Sequence, residues 1–287
     1  MKILLTGANG MLAADVIITK PDNVTLIETD VDELDITNSD AVNDFCKKNK
    51  PDLIFNCAAY TAVDKAEEDE KTAFAVNAIG PKNLASAAAN LNIPFVHVST
   101  DYVFFGDGSA PMKEDDPCDP KGVYAKTKRA GEIEIEKAGG KWLTVRTSWL
   151  YGLNGNNFPD TMIRLANERD TLTVVNDQKG SPTFSFDLAS ALWKLISLDQ
   201  TGYFHFSNSG ECSWFDFAVE IINRAKKFGL VPKEKNIEIL PVTSDKFPRP
   251  APRPNYSVMS LDKYTKAVGK PPRPWQEGLE YYLELKK

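Results

Sequence analysis

Lys2-Ile3-Leu4-Leu5-Thr6-Gly7-Ala8-Asn9-Gly10-Met11-Leu12-Ala13 opens the chain and governs how the rest is read. Lys2 to Thr6 is a short apolar run with the character of a buried strand. It meets two glycines at once, and the residues through Thr19 are helical in character. Strand, glycine turn and helix is the context that a dinucleotide fingerprint requires. Gly7 allows the tight turn, Gly10 lets the backbone approach a pyrophosphate, and Ala13 is the third small residue that lets helix pack on sheet. The helix start at Met11 and Leu12 offers unpaired N–H groups and a positive dipole end. The spacing is Gly-x-x-Gly-x-x-Ala rather than Gly-x-Gly-x-x-Gly, and taken alone it also fits an ordinary turn.

Four more strands follow. Val24 to Thr29 ends at Asp30, where a carboxylate can accept from adenosine ribose hydroxyls and would repel a 2′-phosphate. No arginine follows at once, which favours NADH over NADPH, although the run Glu28 to Asp35 also fits a solvated acidic loop. Asp35 and Ile36 are placed to lie over an adenine. A helix is expected from Asn38 to Lys48. Leu53 to Asn56 is the third strand, followed by the small residues Cys57-Ala58-Ala59 and by Tyr60-Thr61. Asp64 to Glu70 is helical and continues from Thr72 to Leu91, with Asn77 in an otherwise apolar pattern. Pro94 to Val98 is β-rich and ends in Ser99-Thr100-Asp101-Tyr102, and Trp142 to Arg146 is the fifth strand. Strands alternating with helices predict an α/β fold with a Rossmann-type, doubly wound parallel sheet. The dinucleotide-binding domain is expected over residues 1–150. A smaller α/β portion over 151–287 is expected to bind substrate, with a helix near 186–198 returning to the sheet. Helices are also expected over Trp214–Phe228, capped by Ser213, and over Trp275–Leu285. The Pro-rich run Phe247 to Pro254 cannot be helix; Arg249 and Arg253 in it belong to a connector or to a phosphate site.

Val123-Tyr124-Ala125-Lys126-Thr127-Lys128 carries the chemistry. Asp119 is a plausible helix cap and Pro120 fits a first helical position. Tyr124 and Lys128 then share a face, one turn apart. A tyrosine has an ordinary pKa of about 10, and a fixed ammonium nearby would lower it. Such a phenol can pass a proton to a carbinol oxygen. Ligands of open α/β sheets bind at the carboxyl ends of the strands, so Thr100 belongs at the mouth of the site beside Tyr124. Its hydroxyl can donate to a carbonyl, and Asp101 can accept from a sugar hydroxyl.

Composition narrows the options. The chain has 287 residues, 42% of them hydrophobic, and a net charge of −6. Lysine and arginine form no basic cluster, which argues against nucleic-acid binding. No apolar run reaches membrane-spanning length. Four scattered cysteines without a Cys-x-x-Cys pair fit a reduced, cytoplasmic setting. His97 and His205 are the only histidines, their spacing suits no zinc site, and both are expected in strands with satisfied rings.

Together, Gly7-x-x-Gly10-x-x-Ala13, the Thr100 hydroxyl and Tyr124-x-x-x-Lys128 resemble the extended short-chain dehydrogenase/reductases. Within that family the runs Ala58 to Glu67, Ser99 to Phe104, Arg146-Thr147-Ser148-Trp149 and Asn176-Asp177-Gln178 are similar to dTDP-4-dehydrorhamnose reductases, over nearly the whole chain. The resemblance implies the last step of dTDP-L-rhamnose synthesis for cell-surface polysaccharide, reduction of the 4-keto group of dTDP-4-dehydro-β-L-rhamnose by NADH or NADPH. It implies Tyr124 as proton donor, Lys128 tuning it and holding the nicotinamide ribose, and Thr100 polarising the keto oxygen. Asp101, Trp149 and Val63 would contact the nucleotide-sugar substrate. Gly7, Gly10, Met11, Leu12, Asp30, Asp35, Ile36, Ala59, Tyr60 and Thr61 would line the cofactor. Members of the family use a Mg2+-linked homodimer resting on glutamates, one near position 15; Asp15 stands there, which puts the Mg2+ link in doubt. The rival readings are another epimerase or dehydratase of this fold, and a non-catalytic nucleotide-binding regulatory subunit. A dehydratase resembles Thr-Asp-Glu where Tyr102 follows Asp101, and a regulatory subunit has no need of Tyr124, Lys128 and Thr100 together.

Overall fold

The computed structural model describes residues 1–106, 108 and 110–287. Its centre is a six-stranded sheet of β1 (Lys2–Thr6), β2 (Thr25–Thr29), β3 (Leu53–Asn56), β4 (Phe95–Thr100), β5 (Trp142–Thr147) and β6 (Gly202–His205). The order is β6-β5-β4-β3-β1-β2, and every pairing is parallel. From β1 the chain builds outward to β2, then returns to place β3 on the other side of β1. The sheet therefore has a switch point between β1 and β3, where the loops after the two strands part and leave a crevice. The sixth strand is an addition to the five read from sequence. Four residues long, it follows a helix and carries Phe204 and His205 into full burial beside β5.

Eight longer helices matter here: α1 (Met11–Ile18), α2 (Ser39–Asn49), α3 (Gly80–Leu91), α4 (Gly122–Ala138), α5 (Phe158–Glu168), α6 (Ser185–Ser197), α7 (Trp214–Phe228) and α8 (Trp275–Leu285). On one face of the sheet, α1 and α6 bury Leu12, Val16, Leu188 and Leu192 against Ile3, Leu5 and Phe55. Trp193 Nε1 of α6 donates to Val16 O at 3.1 Å, so the later helix is bonded to the first. On the other face α2, α3 and α4 cover Leu4, Ile54 and Phe95. A separate core forms from α5, α7 and α8 around Phe184, Phe217, Leu279 and Tyr282. Ser213 and Asp216 form a capping box at the start of α7, which explains why that boundary is sharp in the sequence.

Two expected elements differ. The helix bearing Tyr124 does not start at Pro120 with Asp119 as cap. Its first residue is Gly122, at φ +74°, and no side chain of its own caps it. Instead Glu67 reaches over from another segment and accepts the Val123 N–H at 2.7 Å. The run expected as one helix up to Leu91 is broken into Val63–Ala66, Glu70–Phe74, a π-helical turn Ala75–Ile79 and α3. The extra residue of the π turn turns Asn77 inward, and such turns recur at functional sites.

Candidate active site

The crevice at the switch point has a volume of about 240 Å³ and is lined by the glycine turn, the end of β2 and the end of β3. Among the residues expected to hold a dinucleotide, Gly7, Gly10, Asp30, Asp35, Ile36 and Ala59 line it, joined by Cys57, Ala58 and Val76. Gly7 has φ +70°, and a Cβ there would lie 2.6 Å from the Ala58 backbone. Gly10 begins α1 with no side-chain cap, so the N–H groups of the first turn stay available to an anion. The cradle thus fits a dinucleotide through a close backbone approach and an uncapped helix start. Gly7→Ala is expected to weaken NADH binding at least about tenfold, because left-handed strain and the clash with Ala58 both act on the turn. A fluorescence titration measures this, and unchanged affinity would remove the turn from the cofactor site.

The other expected cofactor residues sit around the crevice. Met11 packs its side chain toward Gly152 and Gly155, and Leu12 is in the core. Tyr60 is held by its backbone, since its N–H donates to Asn77 Oδ1 at 2.8 Å and its carbonyl accepts from Asn77 Nδ2 at 3.1 Å. Thr61 follows on the same loop, outside the crevice lining. Asn77 Nδ2 also donates to Thr127 Oγ1 at 3.2 Å, so one amide ties the loop after β3 to α4. The Asp30 carboxylate accepts from Asn9 N at 3.0 Å and from Val31 N at 2.8 Å, which braces the glycine turn. Asp35 Oδ1 accepts from the Thr37 N–H and hydroxyl, and Ile36 lies against Gly80.

Deeper along the sheet edge stand the three residues read as catalytic. Lys128 is buried, and its ammonium nitrogen donates to Val98 O at 2.8 Å, pinning α4 to β4. Two residues further along β4, Thr100 donates from Oγ1 to Asp101 Oδ1 at 2.9 Å and accepts the Tyr102 N–H at 3.3 Å. Tyr124 packs its ring edge-on against Tyr102, centroids 5.7 Å apart. Burial pushes the Tyr124 phenol up to about 12, the neighbouring Thr100 hydroxyl pulls it down, and the Asp101 charge raises it further. The expectation of a lowered phenol is corrected: with Lys128 bonded to Val98 O and beside His97, burial outweighs any pull from its ammonium, and the phenol keeps its proton at neutral pH. Burial also brings Lys128 down to about 8.

The residues expected against substrate lie around this group. Asp101 is buried, one carboxylate oxygen bonded to Thr100 and the other, Oδ2, without a partner. Burial lifts this acid to about 7, against the opposing hydrogen bond of Thr100. Trp149 has φ +47°, and its ring stacks on Trp214 with centroids 3.5 Å apart and also lies close against Gly180. A tryptophan so clamped presents its edge rigidly. Val63 opens the short helix whose Asp64 pairs with Arg253 at 2.9 Å and Arg249 at 3.8 Å. The Pro-rich connector is therefore laid over the start of α4, with Arg253 also 5.9 Å from the Tyr102 ring centre. Neither arginine is free of an acidic partner. Asp15 is buried and hydrogen-bonded to Ser185, and Asp187 pairs with Arg273. Among the described residues no three His, Cys, Asp or Glu side chains are grouped to hold a metal ion.

Sequence reading overlooked two groups. His97, placed simply as a strand residue, touches Lys128, with Nε2 3.3 Å from Nζ. Glu67, the distant cap of α4, stands just before the Asp69 that caps the next helix, and only the tertiary fold brings it to Val123.

The sequence model of the RmlD substrate binding domain family matches residues 1–287. A dTDP-4-dehydrorhamnose reductase of Aggregatibacter actinomycetemcomitans is 40% identical, over 97% of this chain and 97% of its own. The crystal structure of a dTDP-4-dehydrorhamnose reductase of Clostridium acetobutylicum superposes with a TM-score of 0.93 at 45% identity, covering 100% of this chain and 99% of its own. A dTDP-4-dehydrorhamnose reductase of Bacillus anthracis, solved in complex with NADP, superposes with a TM-score of 0.92 at 38% identity, covering 100% and 99%.

Proposed function

The chain belongs to the RmlD substrate binding domain family, and from that premise we propose that it is an oxidoreductase that reduces the 4-keto group of dTDP-4-dehydro-β-L-rhamnose to give dTDP-L-rhamnose. The observation that carries the reading is the docking of α4 on β4 through Lys128 and Val98 O, which brings Tyr124 to Thr100 beside the glycine-turn crevice. The three relatives compared above are named as reductases, which favours this reading over the epimerase, dehydratase and regulatory-subunit ones.

A bound nicotinamide supplies the hydride to the sugar carbon. Tyr124 supplies the proton: its phenol is still protonated at neutral pH and leaves as the phenolate when the sugar oxygen takes the proton. Thr100 helps hold that oxygen. Its hydroxyl hydrogen now points at Asp101 and must swing to the substrate oxygen, an easy torsion. Lys128, when protonated, offsets the charge left on Tyr124. Asp101, its acid raised by burial, can donate to a sugar hydroxyl when protonated or accept from one when ionised. Trp149 bounds the sugar-nucleotide side, and Val63 stands on the same side at the head of the Asp64 helix.

The cofactor preference follows from the walls of the crevice. Asp30 and Asp35 are its only charged residues, and a 2′-phosphate would sit beside carboxylates with no arginine or lysine to pair with. NADH is therefore the preferred donor. Purified protein given dTDP-4-dehydrorhamnose and either reduced cofactor should oxidise both, with kcat/KM for NADH at least about tenfold higher, the effect of one unfavourable charge contact. A preference for NADPH contradicts the cofactor assignment, and no oxidation of either contradicts the reductase reading. The four free cysteines suit a reducing compartment, which we read as the cytoplasm.

A further inference from the structure

Between the glycine turn and Lys128 runs a line of buried polar contacts. Thr6 Oγ1 donates to Asn56 Oδ1 at 2.7 Å, and the Ala58 N–H donates to the same oxygen at 3.0 Å. Asn56 Nδ2 lies 3.0 Å from His97 Nδ1, and His97 Nε2 lies 3.3 Å from Lys128 Nζ. Thr6, Asn56, His97 and Lys128 are all 2% exposed or less.

Counting donors along this line leaves one consistent arrangement. The Ala58 N–H can only donate, so the Asn56 atom facing it is the carbonyl oxygen, and the amide nitrogen faces His97. An amide NH2 can only donate, so His97 Nδ1 carries a lone pair. Burial, with the charge of Lys128 second, holds His97 well below the usual histidine range, so its ring is neutral. Its single ring hydrogen is then on Nε2 and points at Lys128. An ammonium offers only hydrogens to that contact, whereas an amine offers a lone pair.

We infer that His97, locked as the Nε2–H tautomer by Asn56, is a positioning residue that presents a donor to Lys128 Nζ and so favours its amine over its ammonium form. Its consequence for turnover rests on the reductase reading above; the tautomer does not. The other titratable groups facing Lys128 are Glu132 on its own helix and Cys57 at the end of β3. Glu132 and an ionised Cys57 favour the ammonium, but Glu132 is already shared by Arg129 and Arg146. Burial outweighs both and brings Lys128 to about 8. The sign of the pH effect follows. Protonated Lys128 supports the phenolate left on Tyr124, so kcat/KM falls as pH rises through the Lys128 midpoint.

Two measurements test this. In 15N NMR of the unaltered chain the two histidines are told apart with His205→Asn. His97 should show a lone pair on Nδ1 and a hydrogen on Nε2 across the neutral range, and a hydrogen on Nδ1 or an imidazolium would overturn the inference. In the pH profile of kcat/KM, His97→Gln replaces the facing N–H with an amide whose carbonyl can accept from the ammonium. The alkaline limb should move upward by about one pH unit, the value of one hydrogen bond gained by the charged form. A variant with lower kcat and an unmoved limb would give His97 a structural role only. Should His97→Gln not fold, the tautomer measurement still decides. An unaltered chain that oxidises no NADH, yet shows the Nε2–H tautomer, would sink the reductase reading and leave the hydrogen-bond arrangement standing.

Discussion

Replacing Tyr124 with phenylalanine should lower kcat by about two to four orders of magnitude while leaving NADH affinity close to that of the unaltered chain. The size is that of losing a positioned general acid. The separation of the two effects comes from geometry. Phenylalanine keeps the edge-on contact with Tyr102 and removes only the oxygen, and the phenol is not part of the crevice lining. Thermal stability should stay close to that of the unaltered chain, since the half-buried ring keeps its packing and only the oxygen is removed. Steady-state turnover and a fluorescence titration measure the two quantities. Near-normal turnover would place the proton donor elsewhere; loss of both would mean that the variant has disturbed the glycine-turn cradle.

Glu132→Leu is expected to destabilise the fold by about 3–5 kcal/mol, the cost of leaving a buried charge without its partner. Glu132 and Arg146 are at most 1% exposed and joined by two parallel hydrogen bonds of 2.9 Å. The Arg146 guanidinium is also sandwiched between Phe104 and Tyr203, 4.7 and 4.2 Å from the ring centres, so it cannot turn out to solvent. In a chain of this size the melting midpoint should fall by on the order of 10 °C. Glu132→Leu combined with Arg146→Met should recover much of the loss, because the pair is then removed rather than broken. The same pair ties α4 to β5, so the single variant should also lose turnover. Double-variant melting no better than that of Glu132→Leu alone would show that the ion pair is not the source of the loss.

Much of the framework was legible because local signals and tertiary demands agree. The Lys2–Ala13 stretch, the alternation of apolar runs with helices and the Ser213 cap each predict what forms. The sixth strand was hidden, since Gly202 to His205 is too short for a pattern and pairs only because α6 delivers it to β5. The start of α4 was misplaced because its cap is Glu67, 56 residues away, while Asp119 offers only a local imitation. At the site, spacing put Tyr124 and Lys128 on one face. It could not show that Lys128 would bond Val98 O and touch His97. That choice depends on which polar atoms β4 presents at depth, and no periodicity encodes it. The Arg249 and Arg253 run was open between connector and phosphate site; Asp64 pairs with both arginines.

The central claim is that Tyr124 and Thr100 meet on the oxygen that is reduced. A crystal structure of the chain with NAD+ and dTDP-L-rhamnose tests it most directly. The account predicts Tyr124 Oη and Thr100 Oγ1 both within roughly 2.6–3.2 Å of the oxygen on the sugar's fourth carbon, with that carbon facing the nicotinamide at about 3–3.5 Å. A sugar bound with that oxygen turned away from Tyr124, or with a different ring carbon over the nicotinamide, would contradict it.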